Sequence, residues 1–341
     1  MDIIATHAAA HPDKCALTDG SRAWSWAEYL SSRNRLAAAL RGLGLGAGEH
    51  VVVYAHNSLE CMLVGSAVRA LGAIPVPMNH RLTAEEVLYI LDNSDAPMVF
   101  ASEAFVPMVE RVRGEAPKAR HWVLIGAERR PWAAHVDDLV AGTSAGTIDA
   151  PSGLGGSMIY TAGTTGKPKG ALRRATDASS VLPRLQALDV LDPSHVHLAA
   201  GPLYHSAPGG FALYAHIVGS TVVLMKRFDP EEALALIARF RCTSTFMAPT
   251  LLKRIVDLPD RVRSRYDVSS MRSIIVAAAP CPMRVKEEVL RLFGPALYEF
   301  YGSTELGINT VLRPEDVLRK DRKSTRLNSS HIQKSRMPSS A

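Results

Sequence analysis

The feature that most constrains this chain is the recurrence of short, continuously apolar runs between segments of helical period. Val51-Val52-Val53-Tyr54-Ala55, Met98-Val99-Phe100 and Trp122-Val123-Leu124-Ile125 have no polar face, the pattern of strands covered on both sides. Between such runs lie helices with legible starts. Ser25-Trp26-Ala27-Glu28 has the capping-box pattern, and Trp26, Tyr29, Leu30, Leu36, Ala37 and Leu40 follow near helical spacing up to Gly42 and Gly44. Asn57-Ser58-Leu59-Glu60 opens another helix that runs through Met62, Leu63, Ala67 and Leu71 to Gly72. Pro75 and Pro77 punctuate a short extended piece, and Thr83-Ala84-Glu85-Glu86 repeats the capping box before a helix that ends near Asp92-Asn93. Residues 141–157 shift to Gly, Ser, Thr, Ala and Pro and read as a linking segment. Beyond it the alternation resumes, with strands expected at 195–200, 221–225, 243–247, 273–279 and 296–300 and helices at 210–218, 230–240 and 283–293. Asp229 caps the second of these helices, and Pro230 occupies its first turn. The expected fold is α/β, with doubly wound, mostly parallel sheets covered by helices.

At 341 residues and 47% hydrophobic, the chain can bury a large core. Its net charge of +6 invites a nucleic-acid reading, but residues 321–341 hold five basic residues against one acid. The remaining 34 basic and 32 acidic residues leave the body at +2, with no basic stripe interleaved with aromatics, so no nucleic-acid partner is expected. Cys15, Cys61, Cys242 and Cys281 form no C-x-x-C pair and read as buried reduced thiols. No run approaches the ~18 apolar residues of a membrane span, and the N-terminus, with Asp2, His7 and His11, is a poor signal peptide; a cytoplasmic protein is expected. Oligomeric state is left open.

The chemistry concentrates in Met158-Ile159-Tyr160-Thr161-Ala162-Gly163-Thr164-Thr165-Gly166-Lys167-Pro168-Lys169-Gly170. A short apolar run feeds a loop of glycines, hydroxyls and ammonium groups, which together can approach and neutralise phosphate. The Walker pattern fails, because Gly166-Lys167 is followed by Pro168 and no glycine stands five positions earlier. His195-Val196-His197 places two imidazoles on one strand face, and a metal would need His205 or His216 as a third ligand. No H-E-x-x-H or comparable spacing supports that, and plain packing explains the pair as well.

With three companion segments, the loop resembles the signature of the adenylate-forming (AMP-binding) superfamily, of the acyl-CoA synthetase type. Gly201-Pro202-Leu203-Tyr204-His205-Ser206 resembles its Pro-Leu-aromatic-His element, and Ala277-Ala278-Ala279-Pro280 its Gly-Ala-Ala-Pro turn. Tyr301-Gly302-Ser303-Thr304-Glu305 resembles its Tyr-Gly-x-Thr-Glu box. The resemblance extends from about His11 to about Leu318 and includes Pro12-Asp13-Lys14 and Asn79-His80-Arg81-Leu82. It implies ATP-dependent activation of a carboxylic acid to an acyl-adenylate, then thioester formation with CoA and release of AMP and pyrophosphate. Loading of a carrier-protein thiol is the alternative, and a catalytically silent nucleotide-binding fragment is a second.

In these roles Thr161, Ala162, Gly163, Thr164, Thr165, Gly166 and Lys169 would hold the β- and γ-phosphates, and Lys167 would be solvated. Ala278, Ala279, Pro280, Glu299, Phe300, Tyr301, Gly302, Ser303 and Thr304 would form the rest of the ATP site, with Tyr301 as a face for adenine. Thr304 would reach the α-phosphate or the acid, and Glu305 would hold Mg²⁺. Tyr204, His205, Phe211, Ala277 and Gly302 would line the acyl site; Thr161, Lys169, His205, Thr304 and Glu305 would be the catalytic set. Phe211 stands roughly where amino-acid-activating relatives keep an aspartate, which favours a fatty or aromatic acid. Members of the family continue well past this box, so the chain is expected to be an incomplete large domain over residues 1–320 with an impaired activity. Residues 321–341, with six serines and no apolar period, are expected to be a disordered, non-native tail.

Overall fold

A computed structural model of the chain describes residues 2–151, 155–161, 168–173, 192–303 and 307–319. Two sheets and one separate hairpin are found among them, rather than one continuous sheet. The first sheet has five strands: β3 (His50–Tyr54), β4 (Ile74–Pro77), β5 (Met98–Ser102), β6 (His121–Ile125) and β7 (Ala134–His135), in the order β4-β3-β5-β6-β7 and parallel throughout. Their side chains alternate between two apolar environments. Val52, Tyr54, Val99, Ala101 and Leu124 pack towards α4 (Ala84–Asn93) and α5 (Val106–Val112), whereas Val51, Val53, Phe100 and Val123 pack towards α2 (Trp26–Gly42) and α3 (Leu59–Ala70). Burial of this kind contributes about 1.5–3 kcal/mol for each fully enclosed large aliphatic side chain.

The larger sheet contains β1 (Cys15–Thr18), β2 (Ala23–Ser25), β10 (Val196–Ala199), β11 (Thr221–Leu224), β12 (Ser244–Met247), β13 (Ser273–Val276), β14 (Leu297–Ser303) and β15 (Gly307–Leu312). Its order is β15-β14-β13-β12-β10-β11-β1-β2, and only the edge pairs β14–β15 and β1–β2 are antiparallel. One face covers helices Pro230–Phe240, Pro249–Val256 and Met283–Phe293. The other joins helix Ser206–Ile217, α2 and α3 in a core shared with the five-stranded sheet. The layers therefore run helix, sheet, helix, sheet, helix.

Several expected starts are present in atomic detail. The Ser25–Glu28 and Thr83–Glu86 capping boxes each close in both directions, and Asp229 accepts from Glu231 N and Glu232 N at 3.0 Å. Such caps are worth about 1 kcal/mol each. The cap of α3 is Ser58, which leaves the Asn57 side chain for another task. Three boundaries differ from expectation. Helix Ser206–Ile217 starts four residues earlier than 210, because a close approach overrides glycine's weak helix propensity: a Cβ at Gly209 would lie 2.3 Å from Leu203 O. Strand β13 stops at Val276, since Ala278 turns the chain with φ +75°. Strand β14 extends to Ser303, because β15 pairs with its last residues. The first helix (Ile3–Ala10), the β1–β2 hairpin and helix Pro249–Val256 are additional elements that the apolar runs and caps do not mark.

Candidate active site

The chain passes from β10 to β11 on one side and then crosses to β12 on the other, so the larger sheet reverses its winding between β10 and β12. A crevice opens beyond the carboxyl ends of parallel strands at such a reversal. The residues that follow β10 are Ala200 to His205, and this loop delivers His205 as the N-cap of helix Ser206–Ile217, with φ −80° and ψ 143°. Asn57, 6% exposed, ties the loop down from the smaller sheet. Its amide nitrogen donates to Gly201 O and Met225 O, both at 2.9 Å, and its oxygen accepts from Leu203 N at 2.9 Å. The sequence reading treated Asn57 only as part of a helix start; two donors and one acceptor satisfied across a fold boundary leave no local signature.

A file of rings leads from the smaller sheet to His205. His56 lies 4.9 Å from His80, His80 lies 4.9 Å edge-on to Tyr204, and Tyr204 lies 4.2 Å from His205, all between ring centroids. The pKa of His205 is lowered, first by desolvation and then by the charge of Arg81. Its neutral ring can donate one hydrogen bond to a carboxylate and still leave the other nitrogen as an acceptor. His195, His197 and His216 do not join it. His195 approaches Arg272, His197 Nδ1 meets Ser244 Oγ at 3.0 Å and His216 Nε2 meets Ala16 O at 3.1 Å. Among the described residues no group of three metal-ligating side chains exists.

The phosphate-loop candidates sit on the separate hairpin of β8 (Ser157–Thr161) and β9 (Lys169–Arg173). Thr161 and Lys169 face each other across the ladder, so the two strands bring both ends of the loop together. Tyr160 anchors the hairpin to α4 by donating to Asn93 Oδ1 at 2.7 Å. It faces Gly170, where an added Cβ would lie 3.1 Å from the tyrosine ring. Ala162, Gly163, Thr164, Thr165, Gly166 and Lys167 lie outside the described residues, as do Thr304 and Glu305.

At the end of β13, Ala277 is buried while Ala278, Ala279 and Pro280 are exposed around the positive φ of Ala278. On the neighbouring β14, alternation divides the candidates. Phe300 joins Phe211, Phe246 and Ala277 in an aromatic cluster against helix Ser206–Ile217, with Phe211 and Phe246 stacked at 5.6 Å. Glu299 accepts from the fully buried Lys286. Tyr301 and Gly302 pair with Thr310 and Ile308 around an irregularity in register. A cavity of about 410 Å³ opens on the other side of the same helix and is lined by Leu203, His205, Gly209, Leu213, Met62 and Arg69, among others. His205 thus borders a chamber that Phe211 and Ala277 do not line.

Parallel sheets covered by helices, with a winding reversal that delivers a histidine to a helix start, define an α/β domain with a crevice at the carboxyl ends of its strands. Residues 4–330 match the family of AMP-binding enzymes, and the chain belongs to that family. It is 30% identical over 321 residues to a 3-[(3aS,4S,7aS)-7a-methyl-1,5-dioxo-octahydro-1H-inden-4-yl]propanoyl:CoA ligase of Mycobacterium tuberculosis, covering 89% of this chain and 62% of the relative. It is 31% identical over 325 residues to an indoleacetate–CoA ligase of Aromatoleum aromaticum, covering 93% and 62%. The crystal structure of the anthranilate CoA ligase AuaEII with anthranoyl-AMP superposes with a TM-score of 0.82 at 26% identity, covering 92% of this chain and 61% of that one. The chain therefore spans about three fifths of the length of these relatives.

Proposed function

We propose that the protein activates a carboxylic acid with ATP, forming an acyl-adenylate and pyrophosphate, and then passes the acyl group to the thiol of CoA with release of AMP. What supports this reading is the pairing of Thr161 with Lys169 across one hairpin, together with His205 at a helix start after the winding reversal. Attack of the carboxylate oxygen on the α-phosphorus breaks the bond to the β-phosphate bridging oxygen. Lys169 and the loop hydroxyls and amides would hold the departing pyrophosphate and stabilise its growing charge. His205 would donate to the carboxylate and aim it in line, which converts a bimolecular step into a positioned one. Thr304 would hold the α-phosphate, Tyr301 would offer its face to adenine between the Ala278–Pro280 turn and β14, and Glu305 would hold the Mg²⁺ that accompanies ATP.

A fatty or aromatic acid is the proposed substrate class. The names of relatives that act on indoleacetate and anthranilate support it, as do the apolar walls around His205. No described helix is long and apolar enough to cross a membrane, and all four cysteines are free; a cytoplasmic setting is part of the proposal. Residues 1–320 are proposed as the AMP-binding domain. The test is acid-dependent exchange of labelled pyrophosphate into ATP, followed by product analysis with CoA and, in parallel, with a phosphopantetheinylated carrier protein. Formation of ADP instead of AMP would overturn the reading, and acylation of the carrier alone would replace CoA as the acceptor.

A further inference from the structure

The cavity beside His205 contains a charged group that the proposed chemistry leaves unused. Arg69, in the last turn of α3, lines it together with apolar side chains from three elements: Met62 of α3, Ile159 of β8, and Leu213 and Ile217 of the His205 helix. The other arginine on this wall, Arg33, is neutralised by Asp2, which accepts from its Nη1 at 2.7 Å. Arg69 has no such partner among the described residues. Its Nη1 donates to Gly65 O of its own helix at 3.0 Å, and its Nε is buried with no hydrogen-bond partner. The two ionisable groups that act on its charge, Cys61 and Tyr29, supply no negative charge, because burial pushes the thiol and the phenol up to about 12. Burial lowers the pKa of Arg69 to about 10, so the guanidinium stays charged at neutral pH.

The side chain is also held in place. Gly155 has φ +66°, and a Cβ there would lie 2.8 Å from both Cγ and Cδ of Arg69. The backbone can close over the arginine stem at this point only because residue 155 is glycine. A guanidinium held in place at the wall of a largely apolar chamber, with a buried Nε and no acidic partner among the described residues, is suited to receive an oxyanion.

We propose that this chamber takes the hydrocarbon body of the acid held at His205, and that Arg69 binds a second carboxylate carried by that acid, so that the chain selects dicarboxylic over monocarboxylic substrates. This rests on the reading of His205 as the residue that meets the reacting carboxylate. Arg69 touches the distal end of the substrate and takes no part in bond making.

The test uses the 341-residue chain in titration calorimetry with matched straight-chain monocarboxylates and α,ω-dicarboxylates of increasing length. Binding of Mg·ATP is measured on the same preparations. At the best-fitting length the dicarboxylate should bind at least about tenfold more tightly than its monocarboxylate counterpart, the factor expected from one charge-assisted contact. Arg69→Met should abolish the preference and leave monocarboxylate affinity within about twofold, whereas Arg69→Lys should keep part of it. Leu213→Trp, which fills the chamber from the His205 helix, should weaken both acids and provides a second route if Arg69→Met fails to fold. Equal affinities in the unmodified chain, or a preference that survives in Arg69→Met, overturn the proposal. Absence of Mg·ATP binding instead overturns the adenylation reading, so the two failures are distinguishable.

Discussion

Lys286 Nζ lies 2.6 Å from Glu299 Oε2, and the lysine side chain is completely enclosed while the glutamate retains 17% exposure. The pair joins the buried face of helix Met283–Phe293 to β14, two residues before Tyr301. Removing one partner leaves a charge in a poorly solvated place, which typically costs about 3–5 kcal/mol, whereas replacing both with apolar groups is often near neutral. Lys286→Met is therefore expected to lower unfolding free energy in urea by about that amount, and Lys286→Met with Glu299→Leu to recover most of it. An unchanged denaturation midpoint in the single variant would show that the pair contributes nothing.

Asn57 holds three backbone groups at once, Gly201 O and Leu203 N of the loop after β10 and Met225 O just after β11. Asn57→Ala should cost about 1–3 kcal/mol for each buried group left unsatisfied, softened by water entering the gap. Hydrogen–deuterium exchange should show faster exchange at Leu203 with little change in β5. If Leu203 remains protected, the loop is held by something other than this side chain.

Lys169 pairs with Thr161 across the hairpin, whereas Lys167, outside the described residues, is expected to be solvated. Lys169→Ala is expected to weaken ATP binding about tenfold or more, the scale of a lost charge-assisted contact, and Lys167→Ala to change it less than about twofold. Calorimetry that finds equal losses would reverse the assignment.

Three enclosed histidines give stability a defined pH dependence. Burial takes His197 and His216 down to about 3, and burial with the charges of His80, Arg227 and Lys226 takes His56 to about 4. An unfolded histidine takes up a proton near pH 6.5, so below that value the unfolded chain binds more protons than the folded one. Stability should be fully present above pH ~6.5, fall as pH drops from there, and stop falling on their account only below pH 3–4, with a limiting slope of about 1.4 kcal/mol per pH unit for each histidine. His197→Gln should flatten the urea midpoint between pH 7 and pH 5. The carboxylates that salt bridges and backbone N–H groups hold low, such as Asp2, lose their contribution in a lower window, as pH falls below about 3.8.

Local rules made parts of the fold legible. Asp229-Pro230 marked the start of its helix because cap and first-turn geometry involve only neighbouring atoms, and the Val51 to Tyr54 run marked a strand because both of its faces are covered. Where packing outweighed propensity the reading slipped. Pro208, Gly209 and Gly210 form the first turns of a helix because Leu203 O comes too close for a side chain at 209. The β1–β2 hairpin escaped because its strands are short and β1 is placed by β11, two hundred residues away. Of the candidate site, the sequence segments brought forward Thr161, Lys169, His205 and Tyr301, while Thr304, Glu305 and Ala162 to Lys167 lie outside the described residues.

By itself, the sequence determined the alternation of strands and helices and membership of the AMP-binding enzymes, since each depends on residue type at short separation. Tertiary structure alone decided that there are two sheets, that Asn57 ties them at the His205 loop, that Lys286 is paired with Glu299 and that Arg69 lines a chamber with no acidic partner among the described residues. The division has a physical cause. Caps and strand periods are satisfied within a few residues, whereas the partner of a buried polar group is whatever the rest of the chain brings within reach.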